Sequence, residues 1–121
     1  MRKYKQELEL PFPPSVNQCY RSIPRGKICT SILSKRGREY KERVGNLLEG
    51  DSKLLTDKKL LVNIKLFMPD RRRRDIDNYT KALLDALTGL VWEDDSQIDI
   101  LVLSREPVEK GGRVKLTVQE L

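Results

Sequence analysis

The stretch LLVNIKLFMP, residues 60–69, and the stretch DIDNYTKALLDALTGL, residues 75–90, decide the fold. In the first, apolar residues occupy every second position over Leu60–Met68, which predicts a strand with one buried face. The proline that follows ends this strand, because proline offers no amide hydrogen to a sheet. In the second, apolar residues recur at helical spacing from Ile76, so we predict a helix that ends near Gly89.

The flanking sequence adds shorter elements on both sides of this pair. The turn Lys110–Arg113 is of the hairpin kind and predicts that the last two strands are connected through it. The element order is roughly β-β-α-β-α-β-β, so we predict an α+β fold: a single small domain over 1–121, with a mixed sheet and two main helices. The flanking elements are strands at Glu7–Leu10, Lys27–Ile32, Ile98–Leu103 and Val114–Val118, and a helix at Lys35–Leu48 capped by Ser34.

The composition excludes several kinds of chemistry. The 121 residues contain no histidine, which excludes Ser-His-Asp and Cys-His catalysis and histidine-ligated metals. Two isolated cysteines, Cys19 and Cys29, cannot form a four-sulfur site. Catalysis must then come from carboxylates, lysines, hydroxyls or a hard cation. No apolar run approaches the ~20 residues of a membrane span, and the charged stretch Met1–Lys5 lacks the apolar segment that would follow it in a signal peptide, so we expect a cytoplasmic protein without membrane partners.

Positive and negative charges are segregated along the chain. Basic residues dominate 21–43 and culminate in four consecutive arginines at 71–74, whereas 75–99 contains seven acidic residues and only Lys81 as a base. A basic surface suits a polyanion, but an acidic cluster inside it requires a cation. The pattern is typical of a metal-dependent nuclease. The alternative is an ordinary solvated surface.

Asp75 and Asp77 are the first candidate metal ligands. Residues two apart point the same way on an extended segment, and Asp77 is a good N-cap for the predicted helix. Both carboxylates could therefore face one side, where Mg²⁺ would relieve their repulsion. The alternative is that both merely complement the helix dipole.

Two further features lie nearby. Asp94 and Asp95 follow Trp92, which is available to anchor their loop, and they offer a ligand from a separate loop. Lys81 lies one turn after Asp77 and could stabilise charge on a phosphate. The alternative for Lys81 is an ion pair with Asp77 or Asp85.

At these residues the sequence resembles the RusA family of Holliday-junction resolvases. The central match is MPDRRRRDIDN, residues 68–78, and it continues through Lys81 to Asp95. Two outlying blocks agree, PPSVNQCYR at 13–21 and KGGRVKLT at 110–117. The resemblance implies a bacterial or phage-derived endodeoxyribonuclease that cuts four-way DNA junctions as a homodimer with Mg²⁺, for which Mn²⁺ may substitute.

The resemblance also implies roles for individual residues. The catalytic, metal-binding carboxylates would be Asp75, Asp77 and Asp95, with Lys81 as supporting base and Asp94 secondary. The expected DNA-binding residues are Arg71, Arg72, Arg73, Arg74, Asn17, Tyr20 and Arg21. The alternatives are a related protein that binds branched DNA without cutting it, and a nuclease for another branched DNA.

The homodimer has some support from the residues themselves. Two symmetric nicks require two sites, and one chain offers only one set of carboxylates. The final strands, from Ile98 and from Val114, are apolar enough to pair or pack across an interface, and Leu84 lies away from the main helical stripe. The alternative is that these residues complete a small monomeric core.

Overall fold

The computed structural model describes residues 5–25, 28–49 and 56–121, without the side chains at 21, 23–25 and 28–31. Two short 3-10 turns, Ile76–Tyr79 and Asp95–Gln97, supplement the regular elements. In chain order these elements are β1 (Lys5–Leu10), α1 (Val16–Cys19), β2 (Tyr20–Arg25), β3 (Ile28–Leu33), α2 (Lys35–Leu48), β4 (Leu60–Phe67), α3 (Thr80–Leu87), β5 (Ile98–Glu106) and β6 (Arg113–Glu120).

The main sheet has four strands in the order β1-β6-β4-β5. β6 is antiparallel to both of its neighbours, whereas β5 runs parallel to β4, so α3 is the crossover between two parallel strands. The α+β class and the mixed sheet with two main helices are thereby confirmed. β2 and β3 form a separate two-stranded sheet.

The predicted hairpin between the last two strands is wrong. β5 and β6 lie on opposite sides of β4, so the connection between them crosses the end of that strand. The turn itself exists, with Gly111 and Gly112 at φ of 85° and 70°, a region that glycine enters without strain. The glycines of the turn therefore indicated that the chain reverses direction, but not which strands would pair with β6.

The core lies between the sheet and the two main helices. The inward side chains of β4 alternate as predicted, and Leu60, Val62, Ile64 and Leu66 are all fully buried. Side chains of α2 and α3 join them in one cluster with the inward face of β6. The buried helical residues in this cluster are Tyr40, Val44, Leu48, Leu83, Ala86 and Leu87.

Helix α2 has the predicted bounds, and Ser34 accepts a hydrogen bond from the Gly37 amide at 3.2 Å. A glycine at position 37 is required, since a Cβ there would lie 2.6 Å from the Cys19 carbonyl oxygen. Gly50, the glycine that the sequence offers as a stop after this helix, lies outside the described residues.

Four local features differ from the prediction. The first turn after Asp75 is a 3-10 turn, and α3 ends at Leu87, two residues before Gly89. Helix α1 was not predicted, although Ser15 and Gln18 form a capping box that a Ser-x-x-Gln pattern signals. Strand β2 was also not predicted, because its proline suggested a turn.

Candidate active site

The arginine run forms a turn between β4 and α3. Asp70 organises it by accepting hydrogen bonds from the Arg72 amide at 2.9 Å and from the Arg74 guanidinium. These hydrogen bonds, that from Arg74 foremost, lower the pKa of Asp70 to about 2. Arg74 is therefore tied down and only 17% exposed, whereas Arg71, Arg72 and Arg73 project into solvent.

Asp75 and Asp77 follow this turn directly. Both side chains are exposed, and neither forms an ion pair or a side-chain hydrogen bond within the described part of the chain. Asp75, in extended conformation, precedes the 3-10 turn, and Asp77 lies inside it. The predicted N-cap role of Asp77 is therefore wrong, because the helix starts earlier as a tighter 3-10 turn.

Lys81 belongs to a three-residue cluster with Tyr20 and Asp85. Its Nζ lies 3.2 Å from Asp85 Oδ2 and 4.7 Å from the centroid of the Tyr20 ring. The Tyr20 hydroxyl donates to the same Asp85 oxygen, and burial together with this bond raises the pKa of Tyr20. Asp77 and Asp85 were both possible ion-pair partners for Lys81, and in the structure Lys81 pairs with Asp85.

The Asp94-Asp95 loop is held by a buried glutamine that the sequence analysis overlooked. Gln97 accepts from the amides of Glu93 and Asp94 at 2.9 and 2.8 Å. Its Nε2 donates to the carbonyls of Thr56 and Lys58 at 2.9 and 2.8 Å, just ahead of β4. A capping-box spacing, Asp-x-x-Gln, could have revealed it.

Trp92 anchors this loop as predicted. It is fully buried, and its indole nitrogen donates to the Thr88 hydroxyl at 3.0 Å. Asp94 and Asp95 then face different surroundings. Asp94 caps the 3-10 turn and accepts from the Ser96 hydroxyl at 2.8 Å, a bond that lowers the pKa of Asp94. Asp95 lines a cavity of about 300 Å³ together with Tyr20 and Asp85.

One chain does not bring all three predicted ligands together. Within residues 5–25, 28–49 and 56–121, no three acidic or cysteine side chains lie close enough to share a metal ion. Asp75 and Asp77 alone supply the hard oxygen donors that suit Mg²⁺, which commonly uses one or two carboxylates. Asp95 is positioned by a different loop.

A basic cleft of about 550 Å³ separates α2 from the arginine run. Arg36 and Arg43 enter it from α2, and neither has an ion-pair partner among the described residues. Arg72 and Arg74 of the arginine run also line it, together with Tyr79 and with Glu39 of α2. Converging guanidinium groups beside an aromatic wall suit a phosphate backbone.

The remaining predicted DNA-binding residues are placed at the start of the chain. Asn17 is exposed on α1. Tyr20 is half-buried in the cluster with Lys81, and the side chain of Arg21 lies outside the described residues.

Among the described helices, none has the length and apolar character that crossing a membrane would need.

Comparison with known proteins assigns the chain to a family. The family model described as endodeoxyribonuclease RusA matches residues 11–119. The crossover junction endodeoxyribonuclease of Enterobacteria phage 82 is 41% identical over 119 residues, which cover 94% of this chain and 93% of that protein. The proteins of that name from Escherichia coli (strain K12) and Shigella sonnei (strain Ss046) are each 40% identical over 118 residues, with the same coverage. The chain therefore belongs to the endodeoxyribonuclease RusA family.

Proposed function

We propose that this protein is a Holliday junction resolvase, an endodeoxyribonuclease that hydrolyses phosphodiesters symmetrically at four-way DNA junctions. The observation that carries the proposal is the pair of exposed carboxylates, Asp75 and Asp77, which have no ion-pair partner among the described residues and directly follow an exposed arginine turn. Negative groups without cationic partners on a basic protein are suited to a cation and to DNA together. The relatives named crossover junction endodeoxyribonuclease supply the substrate class.

The cofactor in this proposal is Mg²⁺, for which Mn²⁺ can substitute. Asp75 and Asp77 are its ligands within one chain, and Asp95, which one chain places apart from them, would join them in the homodimer. When bound, such an ion polarises the scissile phosphate and lowers the pKa of a water. Lys81 contributes a positive charge on the adjacent helix face, where it stabilises charge that develops on the phosphate. The products carry a 5′-phosphate and a 3′-hydroxyl.

The arms of the junction bind to the basic surfaces. Arg71, Arg72 and Arg73 contact phosphates from the exposed turn, and the cleft that includes Arg36 and Arg43 holds a second stretch of backbone. Arg74 acts mainly by holding this turn through Asp70. The residues near α1 that contribute further contacts are Asn17, Tyr20 and Arg21.

A homodimer completes the proposal. A four-way junction has two-fold symmetry, and two opposed nicks require two sites related by the same symmetry. An isologous dimer of this chain meets that requirement with one kind of subunit. The place of action is the bacterial cytoplasm, where junction DNA is found.

The test is cleavage of a labelled synthetic four-way junction. We expect cutting with Mg²⁺, none with EDTA, and none of a linear duplex of the same sequence. Asp75→Asn should abolish cutting while junction binding stays intact or tightens, because the change removes a negative charge near phosphate. Binding without any metal-dependent cutting would refute the nuclease. Preference for a flap or fork would instead reassign its substrate.

A further inference from the structure

The end of β5 lies beside the segment that carries the two exposed carboxylates. Asp75 follows the end of β4. β5 runs parallel to β4, with Arg105 opposite Leu66, so both strands finish at the same end of the sheet. Asp95 precedes β5 and therefore lies at the other end. Arg105, to which the sequence analysis gave no role, is thus a cationic side chain at the same end of the sheet as Asp75.

Arg105 contacts the backbone of that segment directly. Its guanidinium donates a hydrogen bond to the Arg74 carbonyl, 31 residues earlier in the chain. This carbonyl and the Asp75 amide belong to one planar peptide group. A donor that fixes the carbonyl therefore fixes the plane from which Asp75 projects, and so limits the directions that its carboxylate can take.

The peptide groups on both sides of Asp75 are held in this way. Residues 71–75 form neither helix nor strand. The Asn78 amide donates to the Asp75 carbonyl at 3.2 Å, so the 3-10 turn holds the peptide that follows Asp75. Arg105 holds the peptide that precedes it. Between two fixed peptides Asp75 keeps its extended conformation, with φ of −83° and ψ of 132°, and this conformation sets where its side chain points.

The hydrogen bond, and not the charge, is what suits Arg105 to this position. The side chain is exposed and forms no ion pair with an acidic side chain within residues 5–25, 28–49 and 56–121. A positive charge near a metal ligand opposes the binding of a cation. A benefit of Arg105 to a metal site must therefore come from the bond to the Arg74 carbonyl.

We infer that Arg105 is a positioning residue for the metal centre: by holding the Arg74 carbonyl, it sets the direction in which Asp75 presents its carboxylate. The inference rests on the proposed function, in which Asp75 binds Mg²⁺. Groups that orient metal ligands without touching the metal typically contribute about 10–100-fold to metal affinity or activity. In this role Arg105 contacts neither the ion nor the DNA.

The first test measures metal affinity without DNA and without turnover. Mn²⁺ is titrated into the protein, and the free ion is measured by electron paramagnetic resonance. Arg105→Ala should weaken Mn²⁺ binding about tenfold, the lower end of the range for such groups, because the side chain is exposed. The sign is decisive, since loss of a positive charge alone would strengthen the binding of a cation. Arg105→Lys keeps a donor and should bind Mn²⁺ more tightly than Arg105→Ala, whereas charge alone requires the reverse.

The matched control is Lys65→Ala, at the same end of the sheet. Lys65 is exposed on β4, next to the buried Leu66, so its side chain lies on the other face of the sheet. The change removes the same charge without affecting the peptide that precedes Asp75, and Mn²⁺ binding should be unchanged or slightly tighter. Binding of Mn²⁺ by Arg105→Ala as tight as in wild type, or tighter, would overturn the inference.

Hydrogen exchange of the metal-free protein tests the positioning itself. The amides of residues 71–78 should exchange faster in Arg105→Ala than in wild type, whereas those of β4 should keep their protection. Unchanged exchange over residues 71–78 would show that the bond does not hold this segment. A loss of protection that extends along β4 would show a general structural role. Either result would overturn the assignment.

Junction cleavage separates this inference from the proposed function. The single-turnover rate of Arg105→Ala should fall about tenfold at low Mg²⁺ and recover at saturating Mg²⁺, while the Kd for the junction stays constant. A weaker Kd with unchanged Mn²⁺ binding would make Arg105 a DNA contact, which refutes the positioning role and leaves the resolvase standing. Wild-type protein that binds Mn²⁺ but cuts no branched DNA would refute the resolvase, and the Mn²⁺ titration would still decide the role of Arg105.

Discussion

Replacing Gln97 by alanine should destabilise the protein and disorder the loop that carries Asp95. Gln97 is only 8% exposed, and its amide makes four hydrogen bonds to backbone groups of two separate segments, 56–58 and 93–94. A typical hydrogen bond contributes about 1 kcal/mol net, so the set has an upper value of about 4 kcal/mol. Water can replace the bonds at exposed Glu93 and Asp94, and we therefore expect a loss of about 2–4 kcal/mol.

The assay is urea unfolding followed by circular dichroism, with junction cleavage measured in parallel. Ser96→Ala is the matched control, since it removes one exposed bond to Asp94 and should cost less than about 1 kcal/mol. Gln97→Glu keeps an oxygen for the Glu93 and Asp94 amides but turns its second carboxylate oxygen toward the Thr56 and Lys58 carbonyls, so its loss should be at least as large as that of Gln97→Ala. If Gln97→Ala unfolded within about 0.5 kcal/mol of wild type, the glutamine would not be what holds this loop.

Further predictions concern DNA binding, pH and the lysine cluster. The double variant Arg71→Ala, Arg73→Ala should lower the slope of log K against log salt by about two units, as each phosphate contact contributes about 0.9, and an unchanged slope would mean that these arginines do not touch DNA. Because the pKa of Asp70 is lowered to about 2 in the folded state, its stabilising contribution is complete above about pH 4 and is lost as the pH falls toward 2. Unfolding midpoints between pH 2 and 5 should show this loss in wild type, and Asp70→Asn should lack that component. Asp85→Asn frees Lys81 from its ion pair, so single-turnover cleavage should slow while the Kd for the junction stays constant; an unchanged rate would show that the pair does not position the lysine.

Much of the local structure could be predicted because it depends on neighbours in the chain. The alternation over Leu60–Met68 reflects one buried face, because every second side chain of a strand points to the same face of the sheet. The bounds of α2 follow from its cap at Ser34 and its apolar stripe. The carboxylates and arginines next to these elements could also be chosen as candidate site residues, because their residue types define which chemistry is available.

The sequence by itself determined the α+β class, the buried face of β4, the anchoring of a loop by Trp92, and a chemistry limited to carboxylates and bases. Only the tertiary structure decided which strands are neighbours: β4 lies between β5 and β6, where turn residues had suggested a hairpin. It also decided that Lys81 pairs with Asp85 and that Asp75 and Asp95 lie at opposite ends of the sheet. The physical reason is the distance along the chain over which each effect acts. Side-chain periodicity and capping act within a few residues, whereas strand order depends on how distant apolar faces are buried together, and that pairing leaves no local pattern in the chain.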